Sequence, residues 1–259
     1  IKDTVEVREI ANVNSANILI NKDTNDNFSG KFSIRLNDTP FEQEERIHDQ
    51  KLPAVKYFVR KKNIDKGLFK NQNSTLGIVS AGKNWLDLMS SLAMLGLNEN
   101  KCKELGITCY KVGVIWPLED KNFKIWAKNL NTIIIIEEKR KILEDQIKNI
   151  LFNENKRPNV YGEFDESGNK LFPSSYSLNP NKIIKVISSF VYKVTNQKLS
   201  KIVPSEQIED SLIYSKINYD PRKPYFCAGC PHNSSTIIPE GSRAYAGIGC
   251  HYMVQWMDR

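Results

Sequence analysis

The fold is decided by the stretch Thr132-Ile-Ile-Ile-Ile-Glu137, which contains the longest aliphatic run of the chain. Successive side chains of a β-strand point to opposite faces of a sheet, so a run without polar interruptions predicts a strand that is buried on both faces. Such strands are typical of the centre of a parallel sheet that has helices on either side. The stretch therefore predicts an α/β fold.

Two apolar stretches upstream have the same character, Leu76-Gly-Ile-Val-Ser-Ala81 and Ile107-Thr-Cys-Tyr-Lys-Val112. After the first of them, apolar residues recur at helical spacing from Trp85 to Leu95, and Gly96 ends the pattern. Repeated strand–helix units imply a parallel sheet with right-handed crossovers and helices on both faces, a three-layer α/β fold. The remaining predictions are helices at about 123–130, 140–152 and 180–195 and a weaker strand at 160–161.

Composition shifts divide the chain into four segments. We interpret residues 1–71 as the tail of a preceding domain plus linker helices, with β-prone pieces at 5–10, 18–20 and 32–36, one helix from Pro40 to about residue 50 and a second after Pro53. The α/β domain is expected at 72–196, a linker with one helical piece (205–217) at 197–224, and the start of another domain at 225–259. The sequence begins with Ile1 rather than Met and ends at Arg259 within a helical pattern. We therefore expect an interior fragment of a longer protein.

Composition excludes several classes of protein. With 40% hydrophobic and 26% charged residues, the 259-residue chain falls in the globular range. The net charge of +7 comes from dispersed lysines rather than a basic tract interleaved with aromatics, which predicts no nucleic-acid partner. The aliphatic run at 133–136 is far shorter than the roughly 20 residues that span a bilayer, so we expect no membrane segment. Cys102 and Cys109 show no pairing pattern, which favours free thiols in the cytoplasm.

The chemistry-bearing residues are concentrated between residues 226 and 259, which hold three of the five cysteines and two of the three histidines. Cys227 and Cys230 are spaced so that one tight turn can direct two thiolates at one metal or cluster edge, and Cys250 follows Gly247-Ile248-Gly249. Sites of this type use four cysteines around an iron–sulfur cluster or a Cys/His mixture around zinc, which His232 or His251 could complete. From the residues alone these two alternatives are equal, and a thioredoxin-like redox pair is a third.

This segment closely resembles the opening of the thiamine-diphosphate domain in long-chain indolepyruvate ferredoxin oxidoreductases. The resemblance lies in Phe226-Cys-Ala-Gly-Cys-Pro-His-Asn-Ser-Ser-Thr236, in Pro239 to Met253 with its Gly-Ile-Gly-Cys-His core, and in Trp256-Met-Asp-Arg259. Upstream, the pieces 76–83, 110–119 and 136–140 resemble the transketolase C-terminal-like domain that precedes it in the same enzymes.

The resemblance implies an enzyme that oxidatively decarboxylates a 2-oxoacid, indolepyruvate or another aryl pyruvate, to acyl-CoA and CO₂ and passes electrons through a [4Fe-4S] cluster to ferredoxin. It further implies the cofactors thiamine diphosphate and Mg²⁺, and as partners coenzyme A, the remaining domains of the polypeptide and a homo-oligomer. Cys227, Cys230 and Cys250 match cluster ligands of the superfamily, whose fourth cysteine lies further downstream. The Gly-Asp-Gly…Asn segment that binds Mg²⁺ in thiamine enzymes is absent from this chain.

Roles follow for the other residues of the segment. Gly247, Ile248 and Gly249 are expected to meet thiamine diphosphate, because glycines let backbone N–H groups approach an anion closely. His232 and His251 are candidates to hydrogen-bond the diphosphate or the cluster surroundings, with a purely structural role as the alternative. A different class remains open, in which Cys227, Cys230, Cys250 and His251 bind zinc in a nucleic-acid-binding module. The four residues 137–140 are expected either to contact coenzyme A or a neighbouring domain, or to stabilise a helix start.

Overall fold

The computed structural model describes residues 37–196, 199 and 223–257. The chain divides into two compact units, Ile1–Val203 and Pro204–Arg259. The β-prone pieces expected before residue 37 and the helical piece expected at 205–217 lie outside the described residues. None of the helices within the described ranges combines the length and the apolar character needed to cross a membrane.

The first unit begins with helical segments, and from residue 76 onward its strands are separated by helices. Its described elements are α1 (Pro40–Glu45), a π-helical segment (Arg46–Lys51), α2 (Leu52–Lys61), β1 (Lys66–Leu68), β2 (Leu76–Ala81), α3 (Gly82–Met94), α4 (Glu99–Glu104), β3 (Ile107–Val112), α5 (Asp120–Ala127), β4 (Thr132–Ile136), α6 (Ile142–Leu151), β5 (Asn159–Tyr161) and α7 (Pro180–Thr195).

The five strands form one sheet in the order β1-β3-β2-β4-β5. The strands β3, β2, β4 and β5 are parallel, and Ile78 at the centre of β2 is paired with Cys109 on one side and Ile134 on the other. The predicted parallel sheet is confirmed, with one difference: β1 is antiparallel to β3 at the edge. The sheet therefore begins at residue 66, before the predicted domain start at residue 72.

Two apolar clusters cover the two faces of the sheet. Ile134 and Ile136 lie in one cluster with residues of α3 and α7, while Ile133 and Ile135 lie in the other with residues of α5 and α6. This alternation explains why β4 is apolar at every position after its first. Burying each of these side chains stabilises the fold by roughly 1.5–3 kcal/mol relative to exposure. The three-layer architecture predicted from the sequence is confirmed.

The region before the sheet differs from the sequence prediction. Residues 40–61 are helical without interruption, so the break expected at Pro53 is wrong. Proline lacks an N–H group, and its ring clashes with the carbonyl four residues earlier. The chain accommodates it with the wider π-helical turn, in which the N–H of Leu52 donates to the carbonyl of Ile47. At the start of α1, Thr39 and Glu42 form a capping box, with the Thr39 N–H donating to Oε2 of Glu42 at 2.7 Å.

The described part of the second unit contains two short helical elements, α8 (His232–Ser235) and a 3₁₀ helix (Cys250–Trp256). Residues 243–246 do not form a strand, because no described neighbour supplies a strand with which they could pair. Those four residues are exposed and extend towards the glycine turn before Cys250.

Candidate functional site

Cys227 and Cys230 lie on one tight turn. The N–H of Cys230 donates to the carbonyl of Cys227 at 3.0 Å, and Gly229 between them has a φ of 74°, a conformation that a side chain would strain. Asn233 closes the turn from α8, because its Nδ2 donates to the carbonyl of Cys227 at 3.1 Å. Cys227 is exposed and Cys230 is partly buried. Both cysteines therefore lie on one hydrogen-bonded turn, and their role as ligands stays a prediction.

The second turn, Gly247-Ile248-Gly249, leads into the 3₁₀ helix that begins at the exposed Cys250. Ile248 is fully exposed. A Cβ atom at Gly247 would meet no described atom within 4 Å, and its φ is outside the left-handed region. Neither packing against the described residues nor backbone conformation therefore requires a glycine at position 247.

The two turns are joined by aromatic rings. The ring centroids of His232 and His251 are 5.7 Å apart with an interplanar angle of 54°. The ring of Phe226 also contacts His232, at 5.5 Å between centroids. Phe226 and His251 are each next to a cysteine in sequence, Phe226 before Cys227 and His251 after Cys250. The structure therefore brings both predicted histidines together, against each other.

A complete set of metal ligands is not gathered. Within residues 37–196, 199 and 223–257, no group of three or more Cys, His, Asp or Glu side chains is placed to hold a metal ion. The turn of Cys227 and Cys230 fits two positions on the edge of a cluster or of a single metal ion. Cys250 lies on the adjoining turn rather than in the same group.

The acids at the carboxyl end of β4 have structural partners. Glu137 accepts hydrogen bonds from the N–H groups of Leu143 (2.7 Å) and Glu144 (2.9 Å), so it caps the start of α6. Burial raises the pKa of Glu137, and the two amide hydrogen bonds oppose that shift. Glu138 accepts from the N–H of Leu178 at 2.8 Å and lies 3.7 Å from Nζ of Lys83. These contacts agree with the structural alternative for the residues at this edge.

A small open cleft, with room for about 20 Å³, lies beside Glu137, at the edge of the sheet where open α/β folds tend to bind ligands. Its charged lining is balanced between three acids and three bases. Glu144, one of the acids, is buried and accepts from the N–H of Glu163 at 2.9 Å. The cleft therefore favours neither an anion nor a cation. The charged residues that line it are Glu137, Glu144, Glu163, Lys139, Arg140 and Lys141.

Sequence reasoning missed Asp65, which anchors the loop after β3. Its Oδ1 accepts from the N–H groups of Gly113 at 2.7 Å and Val114 at 3.4 Å, while its buried Oδ2 has no hydrogen-bond partner among the described residues. Burial raises the pKa of Asp65 above its ordinary value of 3.8; the two amide hydrogen bonds oppose the shift, and nearby Glu119 adds to it. Only the fold brings residue 65 to residues 113 and 114, so no local pattern marks it.

Asp65→Asn is expected to gain stability relative to the wild-type protein as the pH rises. A raised folded pKa means that the folded state binds more protons than the unfolded state between 3.8 and that pKa, so the wild type loses stability through this interval. Asparagine keeps an oxygen for Gly113 and Val114 and carries no charge. Urea unfolding of both proteins from pH 3 to 7 measures the difference in unfolding free energy. A difference that is flat, or that favours the wild type at higher pH, would contradict the assignment.

Comparison with known proteins identifies the family of the chain through its α/β part. The model of the indolepyruvate oxidoreductase domain matches residues 66–209. Indolepyruvate oxidoreductase subunit IorA from Pyrococcus abyssi is 24% identical over 166 residues, which are 63% of this chain and 22% of the relative. The same subunit from Thermococcus kodakarensis is 23% identical over 185 residues, 70% of this chain and 26% of the relative. The chain thus spans about a quarter of the length of these relatives.

Two solved structures were found to be similar to part of the chain. A 2-oxoglutarate:ferredoxin oxidoreductase from Magnetococcus marinus is 12% identical with a TM-score of 0.40, covering 60% of this chain and 24% of that one. A split-gene transketolase is 13% identical with a TM-score of 0.34, covering 51% and 42%. Both scores are low, so the fold class rests on the strand order and the two covered faces of the sheet. The family model spans more than half of the sequence, and the chain belongs to the indolepyruvate oxidoreductase family.

Proposed function

We propose that the chain is part of a thiamine-diphosphate-dependent enzyme that oxidatively decarboxylates a 2-oxoacid to acyl-CoA and CO₂ and delivers electrons to ferredoxin. The substrate class is indolepyruvate or another aryl pyruvate. One observation carries the proposal: in a chain of the indolepyruvate oxidoreductase family, two cysteine-bearing turns meet through His232 and His251. Ferredoxin, coenzyme A, the other domains and a homo-oligomeric state belong to the same proposal.

Cys227, Cys230 and Cys250 are the proposed ligands of a [4Fe-4S] cluster. The cluster supplies one-electron transfer when bound. Cys227 and Cys230 share a turn whose backbone is fixed by Gly229 and Asn233, and two exposed thiols, those of Cys227 and Cys250, are open to an incoming metal. Metal binding and local folding are coupled, so a complete ligand set need not be gathered beforehand. The fourth ligand would come from outside the described residues.

The glycine turn at 247–249 is the proposed contact with thiamine diphosphate, which supplies the carbon chemistry of the decarboxylation. The turn is exposed, and no described neighbour explains the glycine at 247. A backbone without a Cβ atom can approach a phosphate or a flat ring closely. The open space around Gly247 is where the diphosphate or the ring of the cofactor would approach the backbone.

Gly247→Ala tests this assignment in the full-length protein. We expect the unfolding free energy to change by no more than about 0.5 kcal/mol, as for a surface substitution. We expect reduction of ferredoxin, with indolepyruvate and coenzyme A as substrates, to fall about tenfold or more, which corresponds to roughly 1.4 kcal/mol of lost transition-state stabilisation. Saturation with thiamine diphosphate should require a higher concentration.

The matched control is Ser242→Ala, an equally small change at an exposed residue before the turn. It should retain wild-type activity and the wild-type requirement for thiamine diphosphate. Wild-type activity in both variants would contradict a role of the glycine turn in binding the cofactor. No reduction of ferredoxin by the wild-type protein with any aryl pyruvate would contradict the proposed reaction.

A further inference from the structure

We propose that His232 and His251 are positioning residues whose ring contact holds the turn of Cys227 and Cys230 against the turn that ends at Cys250. The contact keeps Cys250 close to Cys230 before any metal or cofactor binds. This inference deepens the proposed function, since it rests on the same three cysteines. It assigns the two histidines a task that requires their flat rings and no ring nitrogen.

The ring contact joins residues that are much further apart in sequence than those joined by the backbone hydrogen bonds of the turns. Backbone hydrogen bonds that fix these turns are local, such as those from Cys230 to Cys227 and from Tyr252 to the carbonyl of Gly249, both of 3.0 Å. The ring contact of 5.7 Å instead joins His232 and His251, which are distant in sequence and each lie within two residues of a cysteine. A displacement of either ring therefore changes the separation of Cys230 from Cys250.

The ring of His232 is held in place by Phe226. Phe226 is 6% exposed, and its ring lies 5.5 Å from that of His232. The carbonyl of His232 accepts a hydrogen bond from Oγ1 of Thr236 at 2.6 Å, which fixes the backbone at the start of α8. His232 thus contacts two rings, those of Phe226 and His251, and the buried Phe226 limits the movement of the His232 ring.

The ring of His251 folds back over its own turn. A Cβ atom added to Gly249 would lie 2.9 Å from Cε1 and 3.0 Å from Nδ1 of His251. The φ of Gly249 is close to 180°, a value that any residue adopts, so space rather than conformation requires glycine here. An alanine at position 249 would push the imidazole away from its place beside His232. Gly249 is therefore explained by the position of the His251 ring.

The two possible roles of His232 require different parts of its side chain. A ligand to zinc or a donor to a diphosphate uses a ring nitrogen, which phenylalanine lacks. A positioning ring uses its flat apolar surface, which phenylalanine supplies and alanine does not. Losing an aromatic pair should lower the population of the closed arrangement about two- to tenfold. The effective concentration of one thiol near the other falls by the same factor.

Disulfide formation between Cys230 and Cys250 measures this concentration without any bound group. The full-length protein with Cys227→Ser is treated with a chelator, oxidised with diamide and digested with trypsin, which separates the two cysteines by cutting after Arg243. Mass spectrometry then quantifies the linked peptides over time. Cys102 is buried with its pKa raised to about 11, and burial also raises the pKa of Cys109, so neither should compete.

We expect the disulfide to form in this reference protein, to form about two- to tenfold more slowly with His232→Ala, and to form within about twofold of the reference rate with His232→Phe. Gly249→Ala, which displaces the other ring, should slow it as His232→Ala does. Three results would overturn the proposal: no disulfide in the reference, an unchanged rate with His232→Ala, or a rate with His232→Phe as slow as that with alanine. The iron content of the wild-type protein tests the proposed cluster, and the disulfide rates test the ring contact. Either proposal can therefore fail without the other.

Discussion

Replacing Cys227 with serine is expected to remove iron and acid-labile sulfide from the full-length protein and to abolish electron transfer to ferredoxin. Serine is not deprotonated near neutral pH and is a poor ligand for iron, so one of two adjacent thiolates on the turn is lost. Losses in the second shell of a metal site already cost about 10- to 100-fold in affinity, and loss of a ligand should cost at least that. Anaerobic purification followed by iron and sulfide analysis measures the effect.

The matched control is Cys102→Ala, which also removes a thiol. Cys102 is fully buried in the first unit, and its Sγ lies 3.6 Å from the carbonyl of Leu97. This variant should keep its iron and its electron transfer. Cys227→Ser and Cys102→Ala should both retain the circular dichroism of the α/β fold. For Cys227→Ser this is expected because Cys227 belongs to the other unit. Full iron content in Cys227→Ser would contradict its assignment as a ligand.

Ile134→Ala is expected to destabilise the α/β unit by about 2–5 kcal/mol, a large fraction of the stability of a domain. Ile134 is fully buried in β4, paired with Ile78 on one side and Tyr161 on the other. Truncation removes apolar contacts on the face covered by α3 and α7 and leaves a cavity between well-packed neighbours. Urea unfolding followed by circular dichroism measures the change.

Ile125→Ala provides the control, because it makes the same chemical change at a side chain that is 70% exposed. Its unfolding free energy should stay within about 0.5 kcal/mol of the wild type. Equal losses in the two variants would show that β4 does not form the packed interior of the sheet.

The strands β2, β3 and β4 were predictable because they are buried on both faces, which leaves a continuous apolar signal in the sequence. Helix α7 was also predictable to its ends. The side chain of Asn179 accepts from the N–H of Asn181 at 2.9 Å, Pro180 begins the helix, and Asn196 ends it in the left-handed conformation.

Three short elements were not predicted from the sequence, for a physical reason. The strand β1 is Lys66-Gly-Leu68, which is too short for an alternating pattern and gains its place by pairing with β3. Helix α4 begins after Asn98, which accepts from the N–H of Lys101 at 2.9 Å, but its six residues contain a single buried side chain. The π-helical turn before Pro53 depends on backbone geometry that residue types do not reveal.

In the candidate site, too, local features were predictable and contacts made through the fold were not. The sequence could predict that Cys227 and Cys230 share a turn and that Gly247 and Gly249 form another, because each turn is local; their roles as ligands and cofactor contacts stay predictions. The ring contact between His232 and His251, the cap that Glu137 provides to α6 and the anchor that Asp65 provides to the loop after β3 all join residues through the fold. No sequence pattern of fixed spacing marks such contacts.

The central claim is that the two cysteine-bearing turns bind an iron–sulfur cluster in an enzyme of this family. Metal and sulfide analysis of the full-length protein, purified without oxygen, tests it most directly. The account predicts a brown protein with iron and acid-labile sulfide in equal amounts, both of which disappear in Cys227→Ser. A colourless protein that binds zinc through the same cysteines and contains no iron would contradict it, and would support the zinc-binding alternative with His251 as a ligand.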